Sequence, residues 1–361
     1  MSRKFRTFAA RLGQPALRIP LGAALLTALL MASGPRALWA HFEGVEPYWL
    51  GLAVPLYAAS LLVRGVRWWL LLQPLSPQGN WLDTTAISTL GWSLNNVLPF
   101  RLGEVMRVYL FGLRSHLSIA ALLPSAVAER LLDVAVLVGT MGGGLLLLGL
   151  SGAGGIEGTG LPTLGAGLFF LLGVGLALWI LPHLRLPSIS SRRRAARLLS
   201  RLFDLFARYQ EATRLCLRPS NLARGLGLTA LAWALQALQY ATFFAAFGAE
   251  IHPLQMAVAF ALFMLTFAIN LVPGQLGTYE AFFVLAFSVF HATDPELLLA
   301  IALGTHATNL VLLSLLGVAS YLKLGIDRAV LREAWNLRAG RTRGTADEVL
   351  GKSEAPPVSN R

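Results

Sequence analysis

Asn96-Val97-Leu98-Pro99-Phe100-Arg101-Leu102-Gly103 interrupts one apolar stretch of the chain, and Asn270-Leu271-Val272-Pro273-Gly274-Gln275-Leu276-Gly277 interrupts another, 174 residues later. Asn, Pro, Leu and Gly are identical in the two segments, and both residues that follow each Asn are aliphatic. Two residues are then inserted in the second copy, so that Glu104 aligns with Glu280 at an offset of 176. The same offset lays Glu129-Arg130-Leu131-Leu132-Asp133 on Thr305-His306-Ala307-Thr308-Asn309, a polar cluster inside an apolar helix each time. The flanking segments 48–72 and 224–248 agree with this register. Apolar segments share Leu and Gly easily, but a second match in register argues against chance.

Around these breaks the chain reads as membrane-embedded. Of 361 residues, 55% are hydrophobic and 13% charged, with a mean hydropathy of +0.62. Soluble domains carry about 25% charged residues, so a cytosolic enzyme is excluded. Six segments are long and apolar enough to span a bilayer: 19–38, 48–72, 120–150, 161–183, 224–248 and 297–322. The broken regions, 82–115 and 254–291, fit differently. Arms at 84–98 and 104–113 are too short for about 30 Å of hydrocarbon at about 1.5 Å per residue, which predicts a re-entrant hairpin. Arms at 254–272 and 278–290 are longer and leave two full crossings open. The fold class expected is thus an all-α polytopic membrane protein, with about six spanning helices and two broken or re-entrant helical hairpins forming an inverted repeat.

Loop charge orients it. Thirty Lys and Arg against 18 Asp and Glu give +12, an excess that in this setting means basic loops at an anionic inner leaflet, not nucleic acid. Residues 1–18 form a basic N-terminus, read as leading into an uncleaved first helix and not a signal peptide. The connector 184–223 is rich in arginine, with Arg192-Arg193-Arg194, and its Leu198, Leu199, Leu202, Phe203, Phe206 and Tyr209 recur at helical spacing. It is expected to lie on anionic inner-leaflet lipids. Residues 323–361 read as a polar tail. Both termini and the connector are then cytoplasmic, and the single membrane domain runs over 19–322, with halves 48–150 and 224–322. In that topology the two hairpins open to opposite sides, the arrangement that marks a transporter site near the midplane.

The chemistry sits at the breaks. Pro99 and Pro273 end the first arms because proline lacks an amide hydrogen, and Gly103, Gly274 and Gly277 are read as permitting the reversals. Asn96 and Asn270 face freed backbone groups or a ligand. Arg101, Glu104, Arg107, Glu129, Arg130 and Asp133 crowd the first break. Charges at membrane depth pair with one another or line a substrate path. Internal pairs such as Glu104 with Arg130 or Arg107 with Asp133 are one reading. The other is a phosphate bound by Arg101, Arg107 and Arg130, since a guanidinium fork suits phosphate, with the acids orienting those arginines or meeting an amine. Glu280 has no Lys or Arg nearby in sequence, which makes it a candidate proton carrier. His306 and Asn309, beside Thr305 and Thr308, read as a hydrogen-bonded packing seam, and Arg64 and Arg67 as snorkelling at a helix end. Cys216 is the lone cysteine, and the six histidines show no HxxH or HExxH spacing, so neither a metal nor another cofactor is expected.

At these residues the chain resembles the flippase-like family, the membrane domain of lysylphosphatidylglycerol synthases and its stand-alone relatives. N-x-x-P-x-R-x-G-E-x-x-R is met by Asn96, Pro99, Arg101, Gly103, Glu104 and Arg107, E-R-x-x-D by Glu129, Arg130 and Asp133, and P-G-x-x-G-x-x-E by Pro273, Gly274, Gly277 and Glu280. The resemblance implies an inner-membrane protein that moves lipids or lipid-linked molecules between leaflets. A synthase domain is expected to be absent, because the chain ends at Arg361 after the polar tail. The expected function is a non-enzymatic flippase for a phosphate-bearing lipid, working by alternating access. A membrane enzyme acting on a lipid-phosphate would use the same cluster, but no HxxxD or DDxxD set occurs. A scaffold for a glycolipid or hopanoid pathway would tolerate neutralisation of the cluster.

Overall fold

The computed structural model describes residues 15–98, 101–151, 218–266, 272–290 and 294–326. Pro99, Asn270, the span at 161–183, the tail from 327 and the connector up to residue 217 lie outside them. The described residues are helical: α1 Pro15–Ala32, α2 Pro35–Glu43, α3 Pro47–Leu72, α4 Trp81–Leu94, α5 Leu102–Ser115, α6 Ile119–Ser151, α7 Pro219–Ala246, α8 Pro253–Thr266, α9 Thr278–Ser288 and α10 Pro295–Leu324. Proline opens α3, α7, α8 and α10, where its missing amide hydrogen costs nothing. Asn80 and Asp294 cap α4 and α10 through hydrogen bonds from the amides of Leu82 and Glu296.

Among the described residues, three helices are long and apolar enough to cross a membrane: Pro47–Leu72, Ala121–Leu150 within α6, and Pro295–Leu324. Helix α7 is as long but carries Arg224, Gln236 and Gln239. The first expected span, 19–38, is not one helix. Gly34, at φ 69°, and Pro35, which cannot continue the hydrogen-bond ladder, divide it into α1 and α2. In the second broken region α9 has only 11 residues, a rise of about 16 Å, well short of a bilayer.

The two halves match element for element. Helices α3, α4, α5 and α6 have 26, 14, 14 and 33 residues, and α7, α8, α9 and α10 have 28, 14, 11 and 30. Helices α3 and α7 pack antiparallel along their lengths. The Glu46 amide donates to the Ala246 carbonyl at one end, Arg64 meets Gln236 in the middle, and Leu71 approaches Gly225 at the other end. The packing is reciprocal. Helix α4 of the first half lies on α10 of the second, while α8 of the second lies on α6 of the first. In each case a glycine of the long helix receives a side chain of the short arm, Gly317 receiving Ser93 and Gly144 receiving Val258.

Among the described residues, large hydrophobic side chains are exposed on the outside while a set of polar and charged side chains is buried beside the apolar core. Val311, Leu315, Val318 and Leu322 form an exposed stripe along α10, and Leu231 and Leu238 are exposed on α7. Buried inside are Arg67, Arg107, Glu129, Asp133, Gln239, Glu280 and His306. An aromatic cluster of Tyr240, Phe243, Phe244, Phe260, Phe263, Tyr279, Phe283 and Phe287 fills the second half. Trp68, Tyr109 and Phe111 fill the first.

Candidate functional site

Helices α3 and α7 cross beside the tips of both broken hairpins, and a cavity of about 270 Å³ opens there. The tips touch. A Cβ placed on Gly274 would stand 3.3 Å from the Asn96 carbonyl oxygen. Arg64, Arg101, Glu104, Arg130 and Asp133 line the cavity from the first half, and Gln236, Gly274, Tyr279, His306 and Asn309 from the second.

Of the three glycines read as permitting the reversals, Gly274 and Gly277 do so with positive φ and Gly103 does not. Arg101 (φ 53°) and Gly277 (φ 76°) take the left-handed conformation at the N-termini of α5 and α9, and Gly274 and Gln275 are also left-handed. Gly103 is helical. Its role is closeness, since a Cβ there would overlap the Gly91 carbonyl oxygen where α4 and α5 cross. Nor is Asn96 the residue that satisfies the freed backbone. Asn95 accepts from the Gly103 amide at 2.8 Å, while the Asn96 side chain turns to Ser314 at 3.5 Å.

The charged residues form one network with a buried centre. Arg67, 1% exposed, donates to Asp133 at 2.6 Å, to Glu129 at 2.8 Å and to Thr229 at 2.9 Å. Glu129 is held from its other side by Arg107. Asp133 also accepts from Trp233 at 3.1 Å and pairs with Arg130 at 3.4 Å. Glu104 pairs with Arg101 at 3.4 Å and Arg130 at 3.5 Å.

Three sequence readings change here. Arg64 and Arg67 do not snorkel, because α7 packs over that end of α3 and buries it. Arg107 is 0% exposed, stacks 4.6 Å over Trp68 and stands behind the cavity wall with Glu129. Its expected partner Asp133 belongs to Arg67 and Arg130 instead. Arg64 takes the cavity position, with its guanidinium 3.8 Å over the Trp233 ring and hydrogen-bonded to Gln236 at 2.5 Å. Among the described residues no carboxylate lies within 4 Å of it. The missed signal was the spacing of three that puts Arg64 and Arg67 on one face of α3, mirrored by Gln236 and Gln239 on α7.

A second, less charged network lies on α7, α9 and α10. Glu280 on α9 and His306 on α10, 26 residues apart, contact at 2.7 Å, in the places of Glu104 and Arg130. Gln239 donates to Asn309 at 2.6 Å. Asn309 aligns with Asp133 at the offset of 176, whereas Gln239 follows Arg67 by 172, the spacing of Pro47 and Pro219 that open α3 and α7. The other ring nitrogen of His306 lies 2.9 Å from the Gly274 carbonyl oxygen, and Glu280 accepts from the Gly277 amide at 2.7 Å. The seam reading of His306 therefore gives way to a specific partner, Glu280.

The family of the lysylphosphatidylglycerol synthase transmembrane region matches this chain over residues 16–317. The chain belongs to that family. No curated protein and no solved structure matches it. Family membership and the apolar helices make it a multi-pass membrane protein of lipid-related function.

Proposed function

We propose that this family member moves a phosphate-bearing lipid between the leaflets of the inner membrane by alternating access, its headgroup entering the cavity while the tails stay in the bilayer. The observation that carries the reading is the charge balance around the cavity. Five guanidiniums (Arg64, Arg67, Arg101, Arg107, Arg130) stand against three carboxylates (Glu104, Glu129, Asp133). Uncompensated charge at membrane depth is costly, so the surplus calls for an anion. Arg64, without a carboxylate and facing the cavity, is the first place for it, with Arg101 and Arg130 beside it. A phosphate suits these forks, and Glu104 is placed to meet an amine on the same headgroup.

Glu129 and Asp133 are positioned as fixed partners of the arginines and not as bases for bond breaking. Glu129 is clamped between Arg67 and Arg107, and Asp133 between Arg67 and Arg130. A carboxylate engaged on both oxygens is a poor general base.

The antiparallel contact of equivalent helices α3 and α7 supports an inverted-topology repeat, because a two-fold axis that reverses a helix lies perpendicular to it and hence in the membrane plane. The short arms of α4, α5 and α9 support re-entrant hairpins, and the arginine-rich loops support cytoplasmic termini.

The test uses vesicles of phosphatidylethanolamine and phosphatidylglycerol with a trace of fluorescent phosphatidylglycerol, its exchange between leaflets read by quenching from outside. Arg64→Gln is expected to slow exchange about tenfold or more, the loss of one charge-assisted contact, at unchanged melting temperature. Exchange at the wild-type rate would overturn the assignment.

A further inference from the structure

His306 presents both ring nitrogens to acceptors: Nδ1 to Glu280 Oε1 at 2.7 Å and Nε2 to the Gly274 carbonyl oxygen at 2.9 Å. A neutral imidazole has one N–H and one lone pair. With a carboxylate on one side and a carbonyl on the other, it would place lone pair against lone pair at one of these contacts. Both are satisfied only with one further proton, held as imidazolium beside carboxylate or as imidazole beside carboxylic acid. The second oxygen of Glu280 is occupied by the Gly277 amide. These contacts fit a pair that holds that proton.

We propose that Glu280, His306 and the Gly274 carbonyl form a proton-binding site where the two breaks meet, and that its occupancy couples lipid movement to a proton gradient. Losing the proton leaves a buried lone-pair clash, and the His306–Gly274 contact opens. That contact ties the tip of the second break to α10, and the same Gly274 lies against Asn96 of the first break. Deprotonation thus frees one tip from the other. In the first half the corresponding pair is Glu104 with Arg130, whose guanidinium keeps its proton at any working pH, so only the second half can act as the switch.

The surroundings link the proton to the headgroup. Tyr279 of α9 stacks on His306 at 4.1 Å between ring centroids and hydrogen-bonds to Tyr240 of α7 at 2.7 Å. Across the cavity stand Tyr57 and Arg64 of α3, Arg130 and Asp133 of α6, and Glu104 with Arg101 at α5. Helices α4 and α8 line the cavity with neutral side chains, α1 meets the second break through Gly22, Leu25 and Leu26, and α2 packs farther along α10 at Leu299 and Ala300. The cavity wall carries one cation more than it does anions, so it presents a positive field to a headgroup. A bound anionic headgroup cancels that field, so headgroup and proton are taken up together, as reciprocal linkage requires.

This inference rests on the lipid-moving reading for its purpose, but its test does not need transport. Nitroxide labels on cysteines at exposed Val97 and Leu276, in a Cys216→Ser background, report the distance between the breaks in detergent. Spectra are recorded from about pH 5.5 to about pH 9. The wild-type background should pass from a short to a long distance as pH rises, the ratio changing up to about tenfold per pH unit for one proton. Glu280→Gln and His306→Gln should each abolish that pH dependence. His306→Arg, which copies Arg130, should hold the short distance at every pH and shows that a folded variant is being read. A pH-independent distance in the wild-type background, or a dependence that survives in both Gln variants, would overturn the proton site. If no lipid moves in the Arg64 experiment while the distance still follows pH, the transport reading fails and the proton site stands.

Discussion

Arg67 on α3 and Asp133 on α6 form a buried ion pair at 2.6 Å, and their counterparts Gln239 and Asn309 form a neutral hydrogen bond of the same 2.6 Å in the other half. The two contacts have the same length, one charged and one neutral. Removing Arg67 leaves Glu129 and Asp133 buried with less compensation, at a cost of about 3–5 kcal/mol. Arg67→Ala should therefore melt far below wild type in detergent or fail to accumulate, whereas Gln239→Ala, which leaves no charge unpaired, should cost much less. Equal melting temperatures for these two variants would contradict the network.

Arg107 carries a different expectation from the one its motif suggests. Clamped to Glu129 and stacked on Trp68 behind the cavity wall, it acts on the fold and not on the headgroup. Arg107→Lys keeps the charge but loses the planar stack over Trp68. Thermal stability should fall while exchange per folded molecule, measured in the vesicle assay, stays within about threefold of wild type, a shift below about 0.7 kcal/mol by the tenfold-per-1.4 relation. Lost exchange at full stability would return Arg107 to the cavity.

The breaks and the correspondence of the halves were legible because proline and glycine inside apolar segments have few other uses, and because Glu104 and Glu280 keep their place relative to the following helix. Arg64 and Arg67 were not. Helix α3, at 26 residues, rises about 39 Å, more than a bilayer needs, so its sequence does not say which end is buried. Helices α6 and α7, more than 60 residues away, decide that. His306 was similarly hidden, since its pairing with Glu280 depends on how α9 lies against α10. Gly103 shows the converse error: its identity with Gly277 suggested a shared turn, but it is there for the α4–α5 crossing.

That crossing can be tested by adding one carbon. A Cβ at Gly103 meets the backbone carbonyl of Gly91, which has no rotamer by which to yield, whereas one at Gly139 on α6 meets nothing within 4 Å. Gly103→Ala is expected to destabilise by at least about 3 kcal/mol, at the upper end for overpacking. Gly139→Ala should be neutral or stabilising by up to about 1 kcal/mol through backbone entropy. Melting curves of the two in the same detergent separate them, and a Gly103→Ala protein as stable as Gly139→Ala would mean that the two arms do not cross there.

Antiparallel packing of α3 and α7 places the start of α7 beside the end of α3, where Leu71 approaches Gly225, and the start of α3 beside the end of α7, where Glu46 reaches Ala246. Labels just outside these two ends should therefore report opposite faces of the membrane. Cys216 lies three residues before Pro219, in the arginine-rich connector. Positive charge holds such a loop in the cytoplasm. Tyr48, exposed at the opposite end of α3, is flanked by Glu43 and Glu46 on the acidic side. An impermeant maleimide added to spheroplasts should leave Cys216 unlabelled until the inner membrane is opened. With Tyr48→Cys in a Cys216→Ser background, the same reagent should label at once. Labelling of Cys216 from outside would reverse the orientation of the whole chain, while prompt labelling of both sites would show that α3 and α7 do not span as an antiparallel pair, and the inverted repeat would fall with them.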